Sequence, residues 1–193
     1  MMKAVVEKCR VLLDGFFHVE EAEVSFELRQ GGMSPAVRRL NLKRKLAAAL
    51  VLVNKAKQTV ILVRQFRYAA LEHGNAWMVE VVAGLIDAGE SPEDAIRREA
   101  VEEAGFDVGK LELISTFYTT PGLSSERIAL FYGETANAES DAKGGGLAEE
   151  GEDIEVLEMP YAEAFAMIDR GEITDSKTLV GLLWLKDKLR AES

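Results

Sequence analysis

Residues 84–106 read GLIDAGESPEDAIRREAVEEAGF, which puts five glutamates and the Arg97–Arg98 pair into twenty-three residues bracketed by glycines. Ser91 supplies an N-cap oxygen, Pro92 takes the first helical position, and Glu93 and Asp94 face the positive end of the helix dipole. A helix therefore starts there, and Gly105 stops it. On that helix Glu99, Glu102 and Glu103 stand at i, i+3 and i+4. Their carboxylates converge on one face, where each like pair costs about 0.2–0.5 kcal/mol. A solvated acidic face partnered by Arg97 and Arg98 is the plain account of such a helix. Against it stands the run Val81, Val82, Ala83, Gly84, which feeds the acidic segment directly from a buried strand. A carboxylate cluster anchored in that way wants a cation.

Outward from the helix, apolar runs alternate with polar turns. LAAALVLV (46–53) and TVILVRQF (59–66) flank the turn NKAKQ, the pattern of a hairpin buried on both faces. WMVEVVAG (77–84) is expected as a third strand, with RIALFYGE (127–134) and DIEVLEMP (153–160) following. Helices are expected over about 161–170, stopped by Gly171, and over about 175–189, where Leu179, Leu182, Leu183 and Leu185 form an apolar face. The first forty-five residues read as strands: Val24, Phe26 and Leu28 alternate before Gly31-Gly32, and a second run passes through Val37, Leu40 and Leu42. The pattern predicts an α/β (α+β) chain, with an N-terminal antiparallel β extension over 1–45 and the main domain over 46–193. The acidic segment 135–155, centred on three glycines, has the composition of a mobile surface loop.

Composition narrows the function classes. With 193 residues, 48% of them hydrophobic, the chain can bury the core of one domain with additions. A net charge of -10 disfavours nucleic acid polymer and anionic membrane as partners. No apolar run approaches the roughly 20 residues of a membrane span. The lone Cys9 cannot form an internal disulfide, and MMKAVVEKCRVLLDG is too charged for a signal peptide, so a cytoplasmic protein is expected. His18 and His73 are isolated, which leaves no constellation for zinc.

The spacing of 84–106 resembles the Nudix box, G-x5-E-x7-R-E-U-x-E-E-x-G-U with U apolar, and matches it without a gap. Gly84, Glu90, Arg98, Glu99, Ala100, Glu102, Glu103, Gly105 and Phe106 fall on its positions. At ordinary residue frequencies the strictly fixed positions coincide by accident in fewer than about one such chain in ten thousand. The resemblance implies the Nudix fold, a mixed β-sheet sandwiched between helices, and hydrolysis of the pyrophosphate in a nucleoside diphosphate linked to another moiety. Bringing water to a phosphorus ringed by negative oxygens requires positive charge, which hard divalent ions on carboxylates supply. Mg2+ is the expected cofactor, with Mn2+ as a substitute. By this resemblance Glu99, Glu102 and Glu103 hold the metal with the main-chain carbonyl of Ala83, and Arg98 orients them through pairs that include Glu90.

Further stretches place the chain within the family. VRQFRYAA (63–70), VEVVAG (79–84) and YTTPGLSSER (118–127) resemble the ADP-ribose pyrophosphatase branch, and residues 144–178 resemble still more its GDP-mannose and nucleotide-sugar relatives. ADP-ribose, cleaved to AMP and ribose 5-phosphate, is the first expectation and GDP-mannose the alternative. A non-catalytic nucleotide-sugar sensor would be expected to lose the metal carboxylates, and this chain keeps them. In that branch a glutamate of the glycine-rich loop deprotonates the attacking water. The matching residues are Glu150, expected as base, and Glu152, expected as an additional metal-side carboxylate, with the reverse order left open. Arg64 and Arg67 are candidates for clamping phosphate or ribose, and Glu80 and Glu126 for a base or a ribose acceptor. The resemblance also implies a homodimer that exchanges its N-terminal strands. Phe16, Phe17 and Phe26 there either stack on a base or serve core and dimer packing.

Overall fold

The computed structural model describes residues 2–136, 140 and 144–192, and the side chain of Glu150 lies outside that description. The chain divides into two compact units, one of residues 1–45 with 118–127, the other of 46–117 with 128–193. In the smaller unit β1 (Ala4–Asp14), β2 (His18–Phe26) and β3 (Val37–Lys43) form an antiparallel sheet in the order β1-β2-β3. The β1–β2 register slips between Val6 and Lys8 and again between Val11 and Leu13, the signature of bulges that add twist to a long hairpin. The turn after Pro121 is stitched to β3. Leu42 N–H donates to Leu123 O (2.9 Å), and Ser125 N–H donates to Leu42 O (3.1 Å).

The larger unit is organised around β4 (Leu46–Asn54) and β5 (Thr59–Phe66). Further strands are β6 (Trp77–Glu80), β7 (Val82–Leu85), β8 (Val108–Tyr118), β9 (Arg127–Thr135) and β10 (Glu155–Pro160). The sheet runs β10-β5-β4-β9-β8, with β6 paired to β5 and β7 to β4. Along β4 alternate side chains enter two cores. Ala48, Leu50 and Leu52 pack with Ala95, Ile96 and Ala100, the buried face of α1 (Pro92–Glu99) and its continuation. Ala49, Val51 and Val53 pack with Ala164, Met167, Leu182 and Leu185 from α2 (Tyr161–Asp169) and α3 (Ser176–Ala191). A mixed sheet between helices results, and burial on both faces is why these strands read as unbroken apolar runs.

Two elements differ from the expectation. The strand anticipated over 77–84 is two strands, because β4 and β5 pair only at Leu52–Asn54 with Thr59–Ile61 and then diverge. The chain crosses that gap at Val81, leaving β5 for β4, and Val81 N–H donates to Thr178 Oγ1 (2.8 Å). The long strand β8 was not anticipated. It lies at the sheet edge, Leu113 faces solvent, and Leu111, Ile114 and Phe117 are only half-buried, so no clean alternation marks it. Among the described residues no helix is long and apolar enough to cross a membrane.

Candidate active site

Ser91 caps α1 as expected: its hydroxyl oxygen accepts from Asp94 N–H (3.1 Å), with Pro92 at the first position. After Glu99 the helix widens into a π turn over Ala100–Ala104 and ends at Gly105 in the left-handed conformation. Such turns are rare and occur mostly at functional sites. This one carries Glu102 and Glu103. Gly84 at the start of the box has a steric reason, since a Cβ there would fall inside the Glu99 carboxylate.

Arg98 gathers three of the acids. Its Nη1 donates to Glu99 Oε1 (2.8 Å) and Glu102 Oε2 (2.9 Å), and its Nε and Nη2 donate to the two oxygens of Glu90 (both 3.2 Å). Nη2 also reaches Leu85 O (3.2 Å), which ties the cluster to the end of β7. Glu103 takes no part in the Arg98 hydrogen bonds and is buried, 2% exposed. Ala83 N–H donates to its Oε2 (3.1 Å) and the Gln65 amide to its Oε1 (3.4 Å). Ala83, whose carbonyl the resemblance assigns to the metal, is thereby fixed beside Glu103.

Burial pushes the Glu103 carboxyl up to about 8, helped by the charges of Glu99 and Glu152 and opposed by the Ala83 and Gln65 donors. Glu99 is raised as well, chiefly by burial, with Arg98 opposing and Glu102 and Glu152 adding to it. Among the described residues no three histidine, cysteine or acidic side chains converge as a finished cation cage. Arg98 acts as the counter-cation for Glu99 and Glu102, and Glu103 is held by its two donors. The donors nevertheless suit a hard divalent ion: they are all oxygen, carry neither thiol nor imidazole, and two of them are held in the neutral direction by burial and mutual repulsion.

A carboxylate with a folded pKa above its unfolded value stabilises the fold while it is protonated. The contribution of Glu103 is therefore complete below about 4.5 and lost as pH rises through about 8. Metal-free protein should lose melting temperature across that interval, and Glu103→Gln should flatten this part of the profile. Thermal melts in chelator check it, and coincident slopes for the two proteins would contradict the burial argument. Cation affinity runs the opposite way, rising with pH as the proton becomes easier to displace.

The glycine-rich segment does not leave the helix. Gly145 N–H donates to Glu103 O (2.9 Å) and Gly146 N–H to Glu102 O (3.0 Å), while Glu152 Oε2 accepts from Leu147 N–H (3.0 Å). Glu150 closes the turn Ala148–Glu150, and its side chain lies outside the described residues. Glu152 is brought to the box helix by this segment, since its carboxylate accepts from Leu147 N–H next to Gly146, whose own N–H is bonded to Glu102 O, and its charge bears on Glu99 and Glu103.

The remaining candidates are dispersed. Glu80 is 2% exposed and saturated by cations: Arg67 Nε and Nη2 (2.8 and 3.0 Å) and Lys177 Nζ (2.5 Å). Burial raises its pKa, but the two cations outweigh that and hold it below the ordinary carboxylate range. In this structure it is the counter-ion of both Arg67 and Lys177. Arg67 is half-exposed and lies just past the end of β5, two residues beyond Gln65, the Glu103 donor. Arg64 pairs in register with Val79, whose side chain belongs to the α2–α3 core, and it binds Glu155 (2.7 Å). That places Arg64 on the sheet face opposite Glu103, away from the box. Glu126 belongs to the smaller unit, where it accepts from Thr119 Oγ1 (2.9 Å) and pairs with Arg44 (3.6 Å). Sequence reasoning missed Gln65, although a polar residue in an apolar strand two before Arg67 was a usable signal. It also missed Lys177, whose polar context TDSKT gives no sign of burial.

The chain matches the NUDIX domain over residues 43–180 and belongs to the Nudix family. It is an enzyme of that family, a Nudix pyrophosphatase. The GDP-mannose pyrophosphatase of Citrobacter koseri is 40% identical over 186 residues, 95% of each chain. The protein of the same name from Pectobacterium atrosepticum is 40% identical over 178 residues, covering 91% of this chain and 90% of its own. A solved structure described as an ADP compounds hydrolase superposes with a TM-score of 0.76 over 99% of this chain and 96% of its own. At 19% identity it is a likeness of fold.

Proposed function

We propose that the protein hydrolyses the pyrophosphate bond of a nucleoside diphosphate sugar with Mg2+, and that GDP-mannose is the preferred substrate. The observation that carries the reaction class is the acidic cluster itself, in which buried Glu103 stands with Glu99, Glu102 and Glu152 at the end of β7. GDP-mannose moves ahead of ADP-ribose because relatives carrying that name are about 40% identical across nearly the whole chain. ADP-ribose remains the second reading, supported by the VRQFRYAA and YTTPGLSSER stretches. A panel of GDP-mannose, ADP-ribose, UDP-glucose and NADH, coupled to a phosphatase that acts only on the monoester products, tests the order. The highest kcat/KM is expected for GDP-mannose, and a higher value for any other member overturns that choice.

In the reaction a water oxygen bonds to one phosphorus, the bridging oxygen leaves on the other phosphate, and a carboxylate takes the water's proton. A bound divalent ion supplies charge neutralisation at the phosphate oxygens. The chain's own residues prepare for it. Arg98 holds Glu99 and Glu102 side by side, Ala83 N–H and Gln65 aim Glu103, and Arg67, braced on Glu80, offers a guanidinium to a phosphate or ribose. Glu150 is the proposed base and Glu152 the metal-side acid. Glu150→Gln should then depress kcat with metal and substrate affinity nearly intact, whereas Glu99→Gln should also weaken metal binding. Equal losses of metal affinity in the two variants would remove the distinction.

The N-terminal strands support a dimer. Val5, Val6, Val11, Leu13, Phe16 and Leu40 are exposed in the single chain, and so many apolar side chains exposed on one small sheet are the mark of an interaction surface. Light scattering of the full chain should give twice the chain mass, and Val6→Glu with Leu13→Glu should shift it towards monomer. A monomeric wild type at micromolar concentration contradicts the proposal.

A further inference from the structure

Residues 144–147 lie directly on the end of the box helix, and the contacts join main chain to site acid. Carbonyls at a helix end have no partner within the helix. Here those of Glu103 and Glu102 accept from Gly145 and Gly146, Gly145 O in turn accepts from Ile154 N–H (3.1 Å), and Leu147 N–H holds the Glu152 carboxylate. At Gly144 and Gly146 the fit leaves no room for a side chain. A Cβ on Gly144 would stand 2.8 Å from the carbonyl carbon of Ala104 and 2.9 Å from Glu103 O, backbone atoms that cannot step aside. A Cβ on Gly146 would stand 2.6 Å from Glu152 Oε2 and 2.8 Å from Glu152 Cβ. The φ angles of +60° and +78° at these two positions add a conformational demand for glycine.

We propose that Gly144 and Gly146 are positioning residues, whose lack of a side chain seats the loop on the end of the box helix and so fixes the Glu152 carboxylate against that helix end. The inference rests on reading those acids as the cation site. Its logic is that of outer supports around a metal ligand: an acid already held by a main-chain donor, on a segment bonded to the helix bearing the other acids, gives up little freedom when the ion arrives. The segment is thus bonded to the helix at Gly145 and Gly146, with Glu149, Glu150 and Glu152 following in sequence.

The test compares Gly146→Ala and Gly144→Ala with Gly171→Ala. Gly171 has a matching φ of +72° and nothing within 4 Å of a Cβ, so it reproduces the backbone strain without the collision. Mn2+ binding is read by calorimetry without substrate, alongside kcat, KM and melting temperature. Gly146→Ala should weaken Mn2+ binding and lower kcat by about tenfold or more with KM little changed, the range found when support of a metal ligand is lost. Gly171→Ala should lose melting temperature through the backbone strain alone and keep wild-type kcat and Mn2+ affinity. In a Glu152→Gln background, adding Gly146→Ala should cost no further Mn2+ affinity, because the effect runs through Glu152. Gly144→Ala, colliding at the other end of the segment, should reproduce the signature and stands in if Gly146→Ala does not fold. Wild-type Mn2+ affinity in the glycine variants, or an undiminished loss in the Glu152→Gln background, overturns the proposal. Because the titration contains no substrate, an error over which nucleotide sugar is cleaved would leave its outcome untouched.

Discussion

Glu103→Gln is expected to lower kcat by about a hundredfold or more at saturating Mg2+ without disturbing the fold, since losing metal activation costs several kcal/mol. Glutamine keeps the volume of the side chain and an oxygen to accept from Ala83 N–H, so the local packing of a 2% exposed residue survives. What it removes is the negative charge that the site develops when a cation displaces the proton from a carboxyl raised to about 8. A neutral amide cannot make that exchange. Circular dichroism, melting temperature and steady-state kinetics on one preparation check it. A folded variant retaining more than about a tenth of wild-type turnover would remove Glu103 from the metal site.

Lys177→Met is expected to destabilise the larger unit by about 3 kcal/mol, because removing one partner of a buried ion pair leaves its charge uncompensated. Lys177 Nζ lies 2.5 Å from Glu80 Oε2 and 3.0 Å from Asp175 Oδ1, with side-chain exposures of 10% for the lysine and 2% for Glu80. Arg67 still faces Glu80 in the variant, which keeps the loss from being larger. For a chain of this size the melting temperature should fall by roughly 6–12 °C. The sign with pH follows from Glu80, whose folded pKa is depressed: its stabilisation is present above the unfolded value of 4.5 and is lost as pH falls through the lower folded value. The penalty of Lys177→Met should therefore shrink in acid. Adding Glu80→Gln should recover part of the loss at neutral pH. An unchanged melting temperature would show that the pair contributes nothing.

The box was legible because its chemistry is local. Ser91, Pro92 and Gly105 mark a helix by their own backbone preferences, and i, i+3, i+4 spacing places Glu99, Glu102 and Glu103 without knowledge of the rest of the chain. Strands β4 and β5 were legible for a similar reason, since burial on both faces writes an unbroken apolar run. What was not legible depends on contacts distant in sequence. The break at Val81 arises because β4 and β5 diverge, and its N–H is satisfied from α3, ninety-seven residues away. The burial of Lys177 follows from the position of Glu80, not from its polar neighbours. Arg64 and Arg67 are both candidates for clamping substrate by sequence, yet the two-residue period of β5 sends Arg64 to the sheet face opposite Glu103. The glycines at 144–146 resemble a free linker by composition, whereas a Cβ on Gly144 would meet Ala104 and Glu103 and one on Gly146 would meet Glu152 and Ile154. Glycine content alone does not distinguish freedom from close approach.

The central claim, that this site cleaves a phosphoanhydride by water attack, is tested most directly by identifying the products of GDP-mannose turnover in water labelled with heavy oxygen. Cleavage between the two phosphorus atoms gives GMP and mannose 1-phosphate, with the label in a phosphate of one product, and both should depend on Mg2+ and on Glu103. Release of GDP and free mannose, with the label on the sugar, would mean attack at the anomeric carbon and would contradict the account.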